Sequence, residues 1–110
     1  MEITVKASGQ VTVVEVAGEI DSNTAPQAQE RILPLAHLGS KILLDMSGVG
    51  YMSSAGLRML LSTYRQVSRQ NGSMVLTGLA EEIKDTMSIT GFLNFFTIRD
   101  TVDEALKALA

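Results

Sequence analysis

Residues 41–57 read KILLDMSGVGYMSSAGL, and the fold turns on how this stretch divides. Lys41–Asp45 is a short apolar run without alternation, which predicts a strand covered on both faces. Gly48 and Gly50 then permit a tight backbone, and Ser53-Ser54 open an amphipathic helix that runs to about Asn71. Leu57, Leu60, Leu61, Tyr64 and Val67 form its expected core stripe. Gly72 is expected to close it in the left-handed conformation.

Working outward, residues 2–6 and 11–17 are rich in Val and Thr and flank Ser8-Gly9-Gln10, which predicts a hairpin. A helix follows over 24–38, with Ala28, Ile32, Leu35 and Ala36 at helical spacing. Thr24 and Gln27 fit a capping box there, and Pro26 falls in the first turn, where its missing N–H is harmless. Pro34 must kink or disorder the last turn, because proline removes a hydrogen bond and clashes one turn back. Beyond the central stretch lie a strand at 73–77 and a helix at 80–90. That helix turns Ile83 and Met87 inward and stops at Gly91. A last strand is expected at 95–98, then a helix capped by Asp100 and carrying Val102, Ala105, Leu106 and Leu109. The order β-β-α-β-α-β-α-β-α implies an α/β fold, a mixed sheet with helices packed against it. One domain spanning 1–110 is expected.

Composition narrows the classes of function. At 110 residues and 45% hydrophobic, the chain can bury roughly 60–70% of its unfolded surface and needs no staples. It has no cysteine, which excludes disulfides and thiolate chemistry. The start alternates apolar and polar residues, unlike a secretory signal, and no run nears membrane-spanning length. A cytoplasmic protein without direct membrane insertion is expected. Net charge is −3 and the basic residues are scattered, which argues against nucleic acid. Two tyrosines, three phenylalanines and no tryptophan make a poor base-stacking platform.

The chemistry concentrates at the Ser53-Ser54 junction. A serine at the N-cap accepts a hydrogen bond from the first turn. Ser53 takes that position, leaving Ser54 first in the helix with its hydroxyl outward. Two helix-start serines need no function beyond that. Phosphorylation gives them one. Phosphate on Ser54 would add about −1.5 to −2 charges where free N–H groups and the helix dipole favour an anion. Association could change without unfolding. Asp21 ends the second strand in a loop expected beside that helix start. It reads either as a turn residue or as a polar flank of the site that touches the partner. Arg58, Ser62, Arg65 and Arg69 make the helix's polar stripe, a solvated face or a docking face for an acidic surface. Met59 lies off the core stripe, so its flexible side chain is expected exposed beside the serine.

Other patterns fall short. Gly48-x-Gly50 lacks the third glycine of a dinucleotide loop, where Ser53 stands. Ser54-Ala55-Gly56 lacks the first glycine of a nucleophile elbow, where Met52 stands. His37 is the only histidine and ends the first helix, so a hydrolase built on Ser54 lacks an oriented base. No Cys and one His exclude ordinary zinc sites. Glu81-Glu82 and Asp103-Glu104 sit in first helical turns, where acids are expected.

These residues resemble the STAS domain family, and within it the bacterial anti-sigma factor antagonists. The resemblance spans essentially the whole chain. Its strongest parts are Gly18-Glu19-Ile20-Asp21 and DMSGVGYMSSAGL at 45–57, which is similar to the family's D-(L/M)-S-x-V-x-(F/Y)-M-D-S-(S/A/T)-G-L signature. On that match Ser54 falls on the phosphorylated serine, Asp21 on the acidic loop residue, and Gly56-Leu57 on the helix-start pair. The resemblance implies a protein that is not an enzyme and needs no cofactor. Unphosphorylated, it binds an anti-sigma factor that is also a serine kinase. Phosphorylation ends that complex, and a serine phosphatase restores it. This chain has Ser53 where the family often has Asp. That removes a charge beside the phosphate, bears on kinase choice, and leaves Ser53 as an alternative acceptor. A non-phosphorylated scaffold, or an accessory subunit of a membrane-transport complex, is the other role the family offers.

Overall fold

The computed structural model describes residues 1–110. Strand β1 (Glu2–Ser8) pairs antiparallel with β2 (Val11–Ala17). The connection is Gly9-Gln10, closing on the Ser8–Val11 pair, and Gly9 supplies the positive φ of 61°. From β2 onward every neighbour is parallel: β3 (Lys41–Gly48), β4 (Ser73–Thr77) and β5 (Thr97–Arg99), in the order β1-β2-β3-β4-β5. Parallel neighbours require a crossover between them, and each is a helix. These are α1 (Ala25–Ile32), α2 (Ser54–Arg69) and α3 (Glu81–Thr90), while α4 (Val102–Leu109) follows β5. The mixed α/β sheet expected from the sequence is present.

Alternation along β3 sends Ile42, Leu44 and Met46 to one face and Leu43 to the other, and all four are buried. The larger core joins the first face to Ala28 and Ile32 of α1, Leu57, Leu60 and Val67 of α2, and Ile83 and Met87 of α3. The smaller packs Val11, Val13, Leu43 and Val75 against Ala105 and Leu109 of α4. Burial on both sides explains why residues 41–45 carry no polar alternation.

Several local expectations are corrected. As Pro34 requires, α1 stops at Ile32, and Leu33–Leu35 form a single 3₁₀ turn. Asn71, not Gly72, adopts the left-handed conformation after α2, with φ 56°. Gly72 is needed for proximity instead, since a Cβ there would lie 2.7 Å from the Ser40 carbonyl oxygen. Residues 92–95 form a 3₁₀ turn after Gly91, so the last strand begins at Thr97 rather than at 95. Phe96 leaves the strand to pack edge-on against Tyr64, with ring centroids 5.5 Å apart. The cap of α4 is Thr101 rather than Asp100, and Val102 is exposed. An N-cap must stand immediately before the first helical residue, which puts Thr101 there.

Candidate functional site

The site is built where β3 runs out. Gly48 pairs with Ala17, and a Cβ on Gly48 would lie 2.9 Å from the Val16 carbonyl oxygen, so only glycine fits. The Gly18 N–H donates to the Gly48 carbonyl at 3.0 Å. One step on, Ile20 and Met52 form a parallel bridge: Ile20 N–H donates to Tyr51 O at 3.0 Å, and Ser53 N–H donates to Ile20 O at 2.8 Å. The loop after β2, which carries Asp21, is thereby stitched to the start of α2. Gly56 lies against this stitch. A Cβ there would press on the Met52 side chain and come 2.9 Å from Ile20 Cγ2.

Ser53 is the N-cap residue, in extended conformation, and its carbonyl accepts from Leu57 N–H at 3.0 Å. The expected side-chain cap is not made. The Ser53 hydroxyl is buried with no hydrogen-bond partner, so no side chain covers the first turn of α2. Ser54 is the first helical residue and is exposed.

Asp21 is half-buried and heavily engaged. Its Oδ1 accepts from Asn23 N–H at 2.8 Å and Thr24 N–H at 3.0 Å. In return Thr24 Oγ1 accepts from Asp21 N–H at 2.9 Å and donates to Glu19 O at 2.8 Å. This reciprocal pattern is a capping box, shifted three residues towards the N-terminus from the Thr24–Gln27 box expected. Thr24 cannot also cap α1 with its side chain, and it does not. The backbone N–H groups of Thr24 and then Asn23 hold the Asp21 carboxyl below its ordinary range.

Beside the serines, α1 and α2 leave a groove of about 340 Å³. Ser22, Ala25 and Gln29 line one wall and Ala55, Arg58 and Ser62 the other. Gln29 Nε2 donates across it to Ser62 Oγ at 3.2 Å. Arg58, Ser62, Arg65 and Arg69 are all exposed. The two ion pairs of the molecule are Lys6–Glu15 and Lys84–Asp100, so these arginines have no carboxylate partner.

Met59 is a correction. It is only 4% exposed and belongs to the larger core, lining the groove from within. Since α2 packs against both the sheet and α1, its buried face is wider than one stripe. Gly56, Met59 and Thr63 are buried, and Leu61 is only partly so. His37 precedes β3 while Ser54 follows it, so the two lie at opposite ends of that strand. Sequence reasoning missed Tyr51, 51% exposed next to the stitch, and Ser22 on the groove wall. The i, i+3 spacing of Asp21 and Thr24 was the available signal for the shifted box.

No helix is long and apolar enough to cross a membrane. The STAS domain model matches residues 2–105. The chain is 32% identical to the anti-sigma-B factor antagonist of Bacillus subtilis, over 98% of this chain and 94% of that one. It superposes on an anti-sigma factor antagonist from Mycobacterium paratuberculosis with a TM-score of 0.82 and 29% identity, covering 98% and 92% of the two chains. A STAS domain protein from Planctomyces limnophilus gives 0.87 at 22% identity, with 98% and 97% covered. This chain belongs to the STAS domain family and is of its anti-sigma factor antagonist type.

Proposed function

We propose that the protein is a partner-switching antagonist controlled by phosphate on Ser54. Unphosphorylated, it binds an anti-sigma factor that is also a serine kinase, through Ser54, Arg58 and the loop carrying Asp21. The kinase holds the ATP, and this chain is its ligand and its substrate rather than a catalyst. A serine phosphatase reverses the modification, in the cytoplasm, and the working unit is one domain over 1–110. The observation that carries the reading is the contrast between two adjacent hydroxyls. Ser54 is exposed on the first turn of α2, whereas the Ser53 hydroxyl is buried. A kinase reaching this helix start meets Ser54 first, and the buried hydroxyl makes Ser53 the poorer alternative acceptor. The turn that would receive the phosphate has no side-chain cap to displace, and its dipole favours the added charge. Met59 supports the groove from below and offers no anchor of its own.

The test is phosphopeptide mapping of the protein from its source cells across growth and stress conditions, with pull-downs using Ser54→Ala and Ser54→Asp. Condition-dependent phosphate on Ser54, with a kinase retained by the alanine variant and lost by the aspartate variant, supports the switch. No phosphate anywhere, together with equal partner binding by both variants, would sink it in favour of a constitutive scaffold.

A further inference from the structure

Helix α2 differs in its charges from the two helices that follow it. Acids stand in the first turns of α3 (Glu81, Glu82) and α4 (Asp103, Glu104), whereas α2 carries no acidic residue anywhere from Ser54 to Arg69. Its first charged side chain is Arg58, at position i+4 from Ser54. Residues so spaced are neighbours on one helix face, and helical side chains lean towards the N-terminus, so Arg58 is directed back over the turn that holds Ser54. Both residues are exposed. Arg58 lines the groove with Ala55 and has no carboxylate within ion-pair distance. An unpaired cation therefore stands one turn beyond the hydroxyl that the switch modifies.

We propose that Arg58 is the intramolecular counter-ion of phosphate on Ser54. The guanidinium fork matches phosphate with two parallel N–H···O bonds. An anion four residues N-terminal to a cation is also the favoured order on a helix. The proposal rests on the Ser54 switch for the phosphate and adds what the phosphate does next. It takes Arg58 out of the surface offered to the partner, so one modification alters two charges of the docking face: an anion is added at 54 and the cation at 58 is occupied. Arg65 cannot share this role. It lies 11 residues beyond Ser54, about 16 Å along the axis at a rise of about 1.5 Å per residue.

The experiment uses the full chain with phosphoserine installed at position 54 by nonsense suppression, so no kinase is needed. Wild type, Arg58→Gln and Arg65→Gln are compared, and the second ionisation of the phosphate is followed by ³¹P NMR across pH. The acids on the adjoining segments, Glu19 and Asp21 in the loop after β2 and Glu82 of α3, are the same in all three. Pairing favours the dianion, so the wild-type phosphate should ionise at a pH lower by about 0.5 than in Arg58→Gln, the size expected of one exposed ion pair. Arg65→Gln should match wild type. Equal ionisation in wild type and Arg58→Gln overturns the proposal and leaves the helix start alone to hold the phosphate. An equal rise in Arg58→Gln and Arg65→Gln overturns it too, because the effect is then the general field of a basic helix. Absence of Ser54 phosphate in cells, read by the mapping described above, refutes the switch and leaves this titration to decide the pairing.

Discussion

Three helices of this molecule begin at a hydroxyl residue, and two of them, α4 and α2, begin differently. At α4, Thr101 Oγ1 accepts from Glu104 N–H at 3.1 Å and donates to Glu104 Oε1 at 3.1 Å. That helix start is completed by its own sequence. At α2, Ser53 holds the same position, yet its hydroxyl is buried and bonds to nothing. Residues 101–104 read Thr-Val-Asp-Glu, with the acid three places on, while Ser53 is followed at that distance by Gly56. Glycine is there for packing against Met52 and Ile20, and it cannot return a side-chain bond. The α4 start is closed by its own side chains. The start beside the groove is left without a side-chain acceptor, and an added anion meets no competitor there.

The largest effect expected from this contrast is on association. Ser54→Asp should weaken binding to the kinase partner by several kcal/mol, about 100-fold or more, as a misplaced charge in an interface does; calorimetry on the purified pair measures it. The equivalent change in α4, Val102→Asp, should leave that affinity unchanged. Next comes Gly56→Ala, which must displace Met52 and Ile20. The cost of overpacking, about 1–3 kcal/mol, is partly offset by alanine's helix preference of about 1 kcal/mol, and urea unfolding should show a net loss. Thr101→Ala should cost about 1 kcal/mol, the ordinary worth of a working cap. Ser53→Ala should lie within about 0.5 kcal/mol of wild type or be stabilising, because it removes an unpaired buried hydroxyl. Should Ser53→Ala cost as much as Thr101→Ala, the contrast between the two starts would collapse.

A smaller effect concerns acid. The Asp21 carboxyl titrates below its ordinary value in the folded state, held there by the Thr24 and Asn23 N–H groups. Its contribution to stability is therefore present above the unfolded value and lost as pH falls through the folded one. Asp21→Asn cannot titrate. The difference in Tm between wild type and that variant should favour wild type at neutral pH and shrink on acidification.

The sheet was legible because its strongest signal is physical and local. Lys41–Asp45 is apolar without alternation, and only a strand buried on both faces asks for that. The Ser54 helix start was legible for a similar reason, since two glycines followed by two serines leave little else for the backbone to do. What stayed hidden depended on contacts between distant segments. Met59 looked peripheral because a single stripe assumes one packing partner, and α2 has two. The capping box was sought at Thr24-Gln27 because that spacing precedes the helix, but the Ile20–Met52 bridge pulls the start of the turn back to Asp21. Ser53 was assigned a working hydroxyl by preference alone. Whether a particular serine turns its side chain in or out is decided by neighbours that sequence spacing does not report.

The bridge between Ile20 and Met52 has a consequence for how such a site can be recognised. The two halves of the surface come from chain segments separated by α1 and β3. Bringing them together carries a loop-closure cost that only the completed sheet repays. A peptide of residues 45–57 would display the serine without Ser22, without the groove and with no formed helix start. A kinase that reads this composite surface is blind to the unfolded chain. On the proposed switch, phosphate at Ser54 then doubles as a certificate of folding, and nascent or damaged copies neither engage the kinase nor draw down its ATP.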